Sequence, residues 1–159
     1  MREFAARARR NPARGGLPNL LYVMASIEQP PPELEARANG LFVNLPWGSL
    51  MRGIIEADAT VLGNLAFLAA GDAGLRIVLN MRVFDDPVPL DVLGLPEVTA
   101  DYAATTLAPA YLRHGFEITS ARLLSPEDLL ALGTTWARRL SHRAPPPSFL
   151  LEARKVALV

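Results

Sequence analysis

Two short segments hold the only tryptophans of the chain, each with an arginine a few residues away. They are Asn44-Leu45-Pro46-Trp47-Gly48-Ser49-Leu50-Met51-Arg52-Gly53 and Thr134-Thr135-Trp136-Ala137-Arg138-Arg139-Leu140. An aromatic face beside a fixed cation is the pairing that holds one unstacked base against its phosphate. In the first segment Pro46 stiffens the backbone behind the asparagine, so an amide oxygen and an indole plane are aimed from one rigid turn. Asn44, Pro46 and Trp47 thus have the means to hydrogen-bond and stack a purine. The same tetrapeptide also reads as a tryptophan buried behind a strand. Around Trp136 the neighbours Thr134, Thr135, Arg138 and Arg139 are too polar for a deep core position. If that segment is a strand, Arg138 and Arg139 point to opposite faces, and at most one shares the side of a bound nucleic acid.

Those side chains need elements to aim them. Residues 2–11 read as the end of an amphipathic helix stopped by Pro12 and Gly15-Gly16. Asn19 to Ala25 is a short apolar run suited to a buried strand. After Pro30-Pro31-Pro32 comes a brief helix over about 33–38. Leu41-Phe42-Val43 is a second apolar strand that runs into the first tryptophan motif. Ser49 can cap a helix through Ile55, and a further helix covers 58–70. Gly71-Asp72-Ala73-Gly74 reads as a turn before the strand Leu75 to Leu79. Thr99 begins a helix to about His114, closed by Gly115, and Phe116 to Leu123 alternates as a strand. Ser125-Pro126-Glu127-Asp128 combines a cap, a first-turn proline and two acids facing the dipole. Residues 135–141 and 148–154 read as two antiparallel strands joined by the loop holding Pro145-Pro146-Pro147. Strands alternating with helices, then a terminal hairpin, give an open α/β sheet. Ligands of such sheets sit at the carboxyl ends of the strands, which is where Glu28 and the Asn44–Trp47 turn fall. Glu28 is placed either to accept hydrogen bonds from a cofactor's hydroxyls or amine, or simply to face solvent.

Bulk composition narrows the class. The chain of 159 residues suits a single domain with a sizeable core, half of it hydrophobic and a fifth charged. The apolar stretch Val61 to Leu79 is broken by Asn64, Asp72 and Arg76 and does not suit a bilayer span, and Met1-Arg2-Glu3-Phe4 lacks a signal-peptide core. Without cysteine there is no disulfide or thiolate chemistry. The default is a soluble cytoplasmic protein. Net charge is zero, yet Arg2, Arg7, Arg9, Arg10 and Arg14 crowd the start, and Arg138, Arg139, Arg143, Arg154 and Lys155 crowd the last quarter. Two basic ends suit either a positive face toward a polyanion or a solvated helix and hairpin. His114 and His142 have no second ligand at metal-site spacing, and no serine sits in a nucleophile elbow.

With those residues in hand, the chain resembles the 16S rRNA (adenine-1408-N1) methyltransferases of the kanamycin–apramycin (aminoglycoside) resistance type. The resemblance is carried by Ala13-Arg14-Gly15-Gly16-Leu17-Pro18-Asn19-Leu20-Leu21-Tyr22-Val23 and by Asn44 to Leu50. It continues through Ile77-Val78-Leu79-Asn80 and Phe84-Asp85-Asp86-Pro87-Val88-Pro89, and ends with Thr134 to Arg139. It implies a class I S-adenosylmethionine-dependent, Rossmann-like fold, transferring methyl to N1 of the decoding-site adenine in the small (30S) ribosomal subunit. Trp47 and Trp136 match the tryptophans that sandwich the flipped adenine, and Glu28 and Ser49 match cofactor-side positions. Arg139 matches an rRNA-holding arginine, with Arg138 and Arg143 beside it as further RNA-binding candidates. No general base is required, because adenine N1 carries its own lone pair and alignment supplies most of the rate. The resemblance also implies a partial domain over 1–159: Met1 matches a position inside the helix after the family's second strand. The glycine-rich loop, the ribose-holding carboxylate and the first two strands would then be absent. That predicts little activity for the chain alone and exposed sheet edges able to oligomerise. The alternative is a non-catalytic RNA-binding or interaction module that keeps the base-facing surface. Neither DNA nor a membrane is implied as a partner.

Overall fold

A computed structural model describes residues 6, 10–17, 19–20, 23–85, 88–89, 93–131 and 147–157. At their centre lies a four-stranded sheet of β1 (Ala38–Asn44), β2 (Ala69–Asn80), β3 (Phe116–Leu124) and β4 (Ser148–Lys155). Its spatial order is β1-β2-β4-β3. β1 and β2 are parallel, while β4 lies antiparallel to both β2 and β3. Between β1 and β2 the chain crosses over through helices α1 (Gly48–Ile55) and α2 (Ala59–Leu68). Helix α3 (100–113) connects β2 to β3 and contains a π-helical stretch, Ala103–Leu107, ahead of Pro109. Helix α4 (Pro126–Ala131) follows β3.

The period-two pattern of β2 decides which face is covered. Leu75, Ile77 and Leu79 are buried with Met51, Ile54 and Ile55 of α1, Val61, Leu62 and Leu65 of α2, and Leu107 and Tyr111 of α3. On the opposite face Val78 and Leu150 cluster with Leu129 of α4, and Leu45 and Leu124 pack against them. Beyond them a cross-strand row, Phe42, Arg76 and Glu152, faces outward. Arg76 pairs with Glu152 at 2.7 Å, and Phe42 is 68% exposed.

Local signals explain the helix ends. Asp58 caps α2 by accepting from the Thr60 and Val61 amides at 2.9 and 3.0 Å. The far end of α2 is met by Lys155, whose Nζ donates to the Ala66 and Ala69 carbonyls at 2.8 and 2.6 Å, a cation placed against the negative helix terminus. Thr99 caps α3. Ser125 and Asp128 exchange reciprocal hydrogen bonds at the start of α4. Gly115 closes α3 at φ +79°.

Four expectations are corrected. The Gly71–Gly74 turn lies inside β2, where it forms a bulge: β1 advances from Ala38 to Gly40 while β2 advances from Ala69 to Gly74, with Asp72 at φ +60°. The brief helix over 33–38 is a 3-10 turn, Pro32–Leu34, because β1 claims the chain from Ala38. The strand expected over Asn19–Ala25 is absent at its described positions. A strand exists through its ladder, and among the described residues none pairs with this run; Leu20, Val23 and Met24 are instead exposed. The strand expected over 148–154 is β4, but both of its edges are taken, by β2 and by β3, which leaves none for the expected hairpin partner. Residues 135–141, and nearly all of the helix expected over 2–11, lie outside the described residues.

Candidate functional site

The site begins where β1 ends. Leu45 takes a left-handed conformation at φ +54° and its amide donates to the Val78 carbonyl at 2.8 Å, tying the turn to β2. Pro46 follows, Trp47 is extended, and Gly48 is again left-handed at φ +58°. A β-carbon at Gly48 would meet no other atom within 4 Å, but its positive φ is the backbone region that favours glycine. Between two reversals the indole is thrown outward: Trp47 is 58% exposed. An exposed indole beside a strand end offers an aromatic face free to stack. Asn44, the last residue of β1, is also exposed, whereas Pro46 is half-buried beneath the turn.

Ser49 does not cap α1 as the sequence suggested. The helix starts two residues earlier, with Trp47 at the cap position and no side-chain capping bond. That frees the Ser49 hydroxyl, which donates to Glu28 Oε1 at 3.1 Å. The two residues assigned from sequence to the cofactor side, separated by 21 positions, are therefore in direct contact. Ser26 Oγ donates to the other carboxylate oxygen, and the Glu28 amide donates back to Ser26 Oγ at 3.3 Å. The Ser26 hydroxyl, the residue's own backbone amide and Ser49 together hold the Glu28 carboxyl below its ordinary range, against a small opposing effect of burial. Glu28 thus stands exposed and anionic at the mouth of the α1 N-terminus.

Glu28 does not follow a strand, as expected, but sits in the tight turn closed by the Ser26–Gln29 bridge. The turn is fastened from below by Asn64 of α2, whose Nδ2 donates to the carbonyls of Ile27 and Glu28 at 2.8 and 3.1 Å. From the other side, α1 is held by two phenols. Tyr111 donates to the Ile54 carbonyl at 3.0 Å and Tyr102 to that of Ile55 at 2.9 Å; burial pushes both phenols above their usual range. Ser26 and Asn64 were not anticipated. Asn64 had a visible signal: with Thr60 it is one of two polar side chains in an otherwise apolar ten-residue helix. Trp136, Arg138, Arg139 and Arg143 lie outside the described residues.

A bare indole beside a carboxylate–hydroxyl pair, at the carboxyl end of a parallel strand pair, is an arrangement with which an α/β domain can bind a nucleoside-like ligand. The family model for NpmA, 16S rRNA (adenine(1408)-N(1))-methyltransferase, matches residues 1–155, and the chain belongs to that family. An rRNA methyltransferase of Saccharopolyspora hirsuta is 44% identical over 140 residues, covering 88% of each chain. A 16S rRNA (adenine(1408)-N(1))-methyltransferase of Streptoalloteichus hindustanus is 40% identical over 141 residues, covering 89% of this chain and 64% of that relative. The crystal structure of a mutant of the 16S rRNA (adenine(1408)-N(1))-methyltransferase from Catenulisporales acidiphilia, with cosubstrate SAM, superposes with a TM-score of 0.88 at 35% identity. It covers 99% of this chain and 70% of that one. The chain thus spans about two thirds of the length of the last two.

Proposed function

We propose that this chain forms the base-facing and cofactor-contacting part of an S-adenosylmethionine-dependent methyltransferase that modifies N1 of an adenine in 16S rRNA, the change that gives aminoglycoside resistance. The observation that carries the reading is the exposed Trp47 held two residues from Ser49, itself hydrogen-bonded to Glu28. The donor set fits the cofactor: an anionic carboxylate with a neighbouring hydroxyl suits the hydroxyls or amine of a nucleoside. When bound, that group supplies a methyl on a sulfonium. Trp47 stacks on one face of the target adenine and, with Trp136, favours the cationic ring that N1 methylation creates, by about 0.5–2 kcal/mol per indole. Asn44 offers its amide oxygen to the adenine amine, and Pro46 keeps the turn rigid. Arg138, Arg139 and Arg143 hold the rRNA backbone.

The test is methyl transfer to 16S rRNA in small subunits. N1 methylation blocks the Watson–Crick edge, so it is read as a stop in reverse transcription. A stop at one adenine that requires S-adenosylmethionine and disappears with Trp47→Ala supports the reading. A second reading, a binding module without transfer, rests on the same exposed Trp47 at the end of a strand. Its result is rRNA binding that Trp47→Ala weakens, with no stop. Neither binding nor a stop overturns both.

A further inference from the structure

We infer that Asn64 is a positioning residue for Glu28: it fixes the Ser26–Gln29 turn on α2 so that the carboxylate reaches Ser49 at the start of α1. This rests on the reading of Glu28 as a cofactor contact. Glu28 comes from a segment without regular structure, whose described residues upstream make no ladder with the sheet. Left to itself, such a turn samples many conformations, and fixing each residue costs conformational entropy. Two of the bonds that hold it to the body of the domain come from one side chain, the Asn64 amide, whose Nδ2 donates to the Ile27 and Glu28 carbonyls together. The remaining polar contacts around Glu28 are with Ser26 and Ser49: both hydroxyls donate to its carboxylate, and its amide donates to Ser26 Oγ within the turn itself. They fix the carboxylate only once the turn beneath it is in place.

The geometry also explains why asparagine and not another polar residue stands there. Both partners are acceptors, so the side chain must donate twice from one nitrogen; aspartate of the same shape would face two carbonyls with a charge and no donor. α2 has its own cap at Asp58 and its own closing cation at Lys155. The helix therefore does not depend on Asn64, and leucine at this position has the higher helix preference.

The experiment compares the whole chain with Asn64→Leu, Glu28→Gln and the double variant, with Asn64→Ala as a second substitution in case leucine disturbs packing. Calorimetric titration with S-adenosylmethionine should show weaker binding in Asn64→Leu by roughly tenfold, the scale of one to two lost hydrogen bonds. Because Asn64 acts through Glu28, the double variant should bind no more weakly than Glu28→Gln alone. Independent, additive losses would overturn the proposal. A second readout needs no cofactor: NMR titration of the Glu28 carboxyl should show a midpoint below the ordinary range in the unmodified chain, rising toward it in Asn64→Leu as Ser49 is lost. An unchanged midpoint would overturn the positioning role. If none of the five forms binds S-adenosylmethionine, the cofactor reading of Glu28 falls, and the NMR comparison alone decides Asn64.

Discussion

Gly53→Ala probes the joint on which the site depends. Gly53 is buried where α1 crosses α2, and a β-carbon built there would lie 2.5 Å from Val61 Cγ2 and 3.1 Å from Val61 Cβ. Val61 is β-branched and itself buried, so its methyl has one favoured rotamer in a helix and nowhere to swing. Overpacking of this kind costs about 1–3 kcal/mol, and the helix preference for alanine over glycine returns about 1 kcal/mol. A contact as short as 2.5 Å belongs at the upper end of that cost, leaving a net loss of about 1–2 kcal/mol. For a domain of this size the melting temperature should fall by about 2–8 °C, measured by circular dichroism. In a Val61→Ala background the methyl at 2.5 Å is gone and only the β-carbon at 3.1 Å remains, so the same Gly53→Ala change should lower the melting temperature by clearly less. Stabilisation by Gly53→Ala alone would refute the packing argument, and with it the claim that α1 is held at a fixed distance from α2.

Two further outcomes follow from the same elements. Tyr111→Phe removes the buried donor to the Ile54 carbonyl, and leaving that acceptor unpaired should cost about 1–3 kcal/mol in denaturant unfolding with an unchanged slope. Ser49→Ala should raise the Glu28 carboxyl toward its ordinary range by removing one of the donors that lower it. The sign for Glu28 is that of a depressed acid: the charged form is present above the ordinary carboxylate range and is lost only as pH falls through the lowered folded value. Cofactor affinity that depends on the anion should therefore survive acidification further in the unmodified chain than in Ser49→Ala. Equal pH profiles would contradict the Ser49–Glu28 contact.

Much of this fold was legible because its signals were local. Caps at Thr99 and Ser125, the glycine after His114 and the alternation of Phe116 to Leu123 each depend on neighbours within a turn or two, and each is where the sequence placed it. What was misread depended on partners distant in sequence. Gly71 to Gly74 has turn composition, but pairing with β1 and β4 on either side draws these residues into a strand as a bulge. Asn19 to Ala25 has strand composition, but composition cannot supply a neighbouring ladder. Ser49 has cap composition, yet Trp47 takes the cap position and leaves the hydroxyl to Glu28. At the site, Trp47, Glu28 and Ser49 were found through motif and resemblance. Asn64 and Ser26 were not, because a residue that supports another shows its purpose only once the turn it fastens has been seen.

The most direct test of the account is the affinity of the chain for 16S rRNA with and without the Trp47 indole. Trp47 is exposed and lies outside the core clusters of the described residues, so Trp47→Ala should change the melting temperature little. Loss of one stacked base, worth about 1–3 kcal/mol, should weaken binding by about tenfold or more. Equal affinity of the two proteins at the same salt concentration would contradict the claim that this turn presents a base-stacking surface.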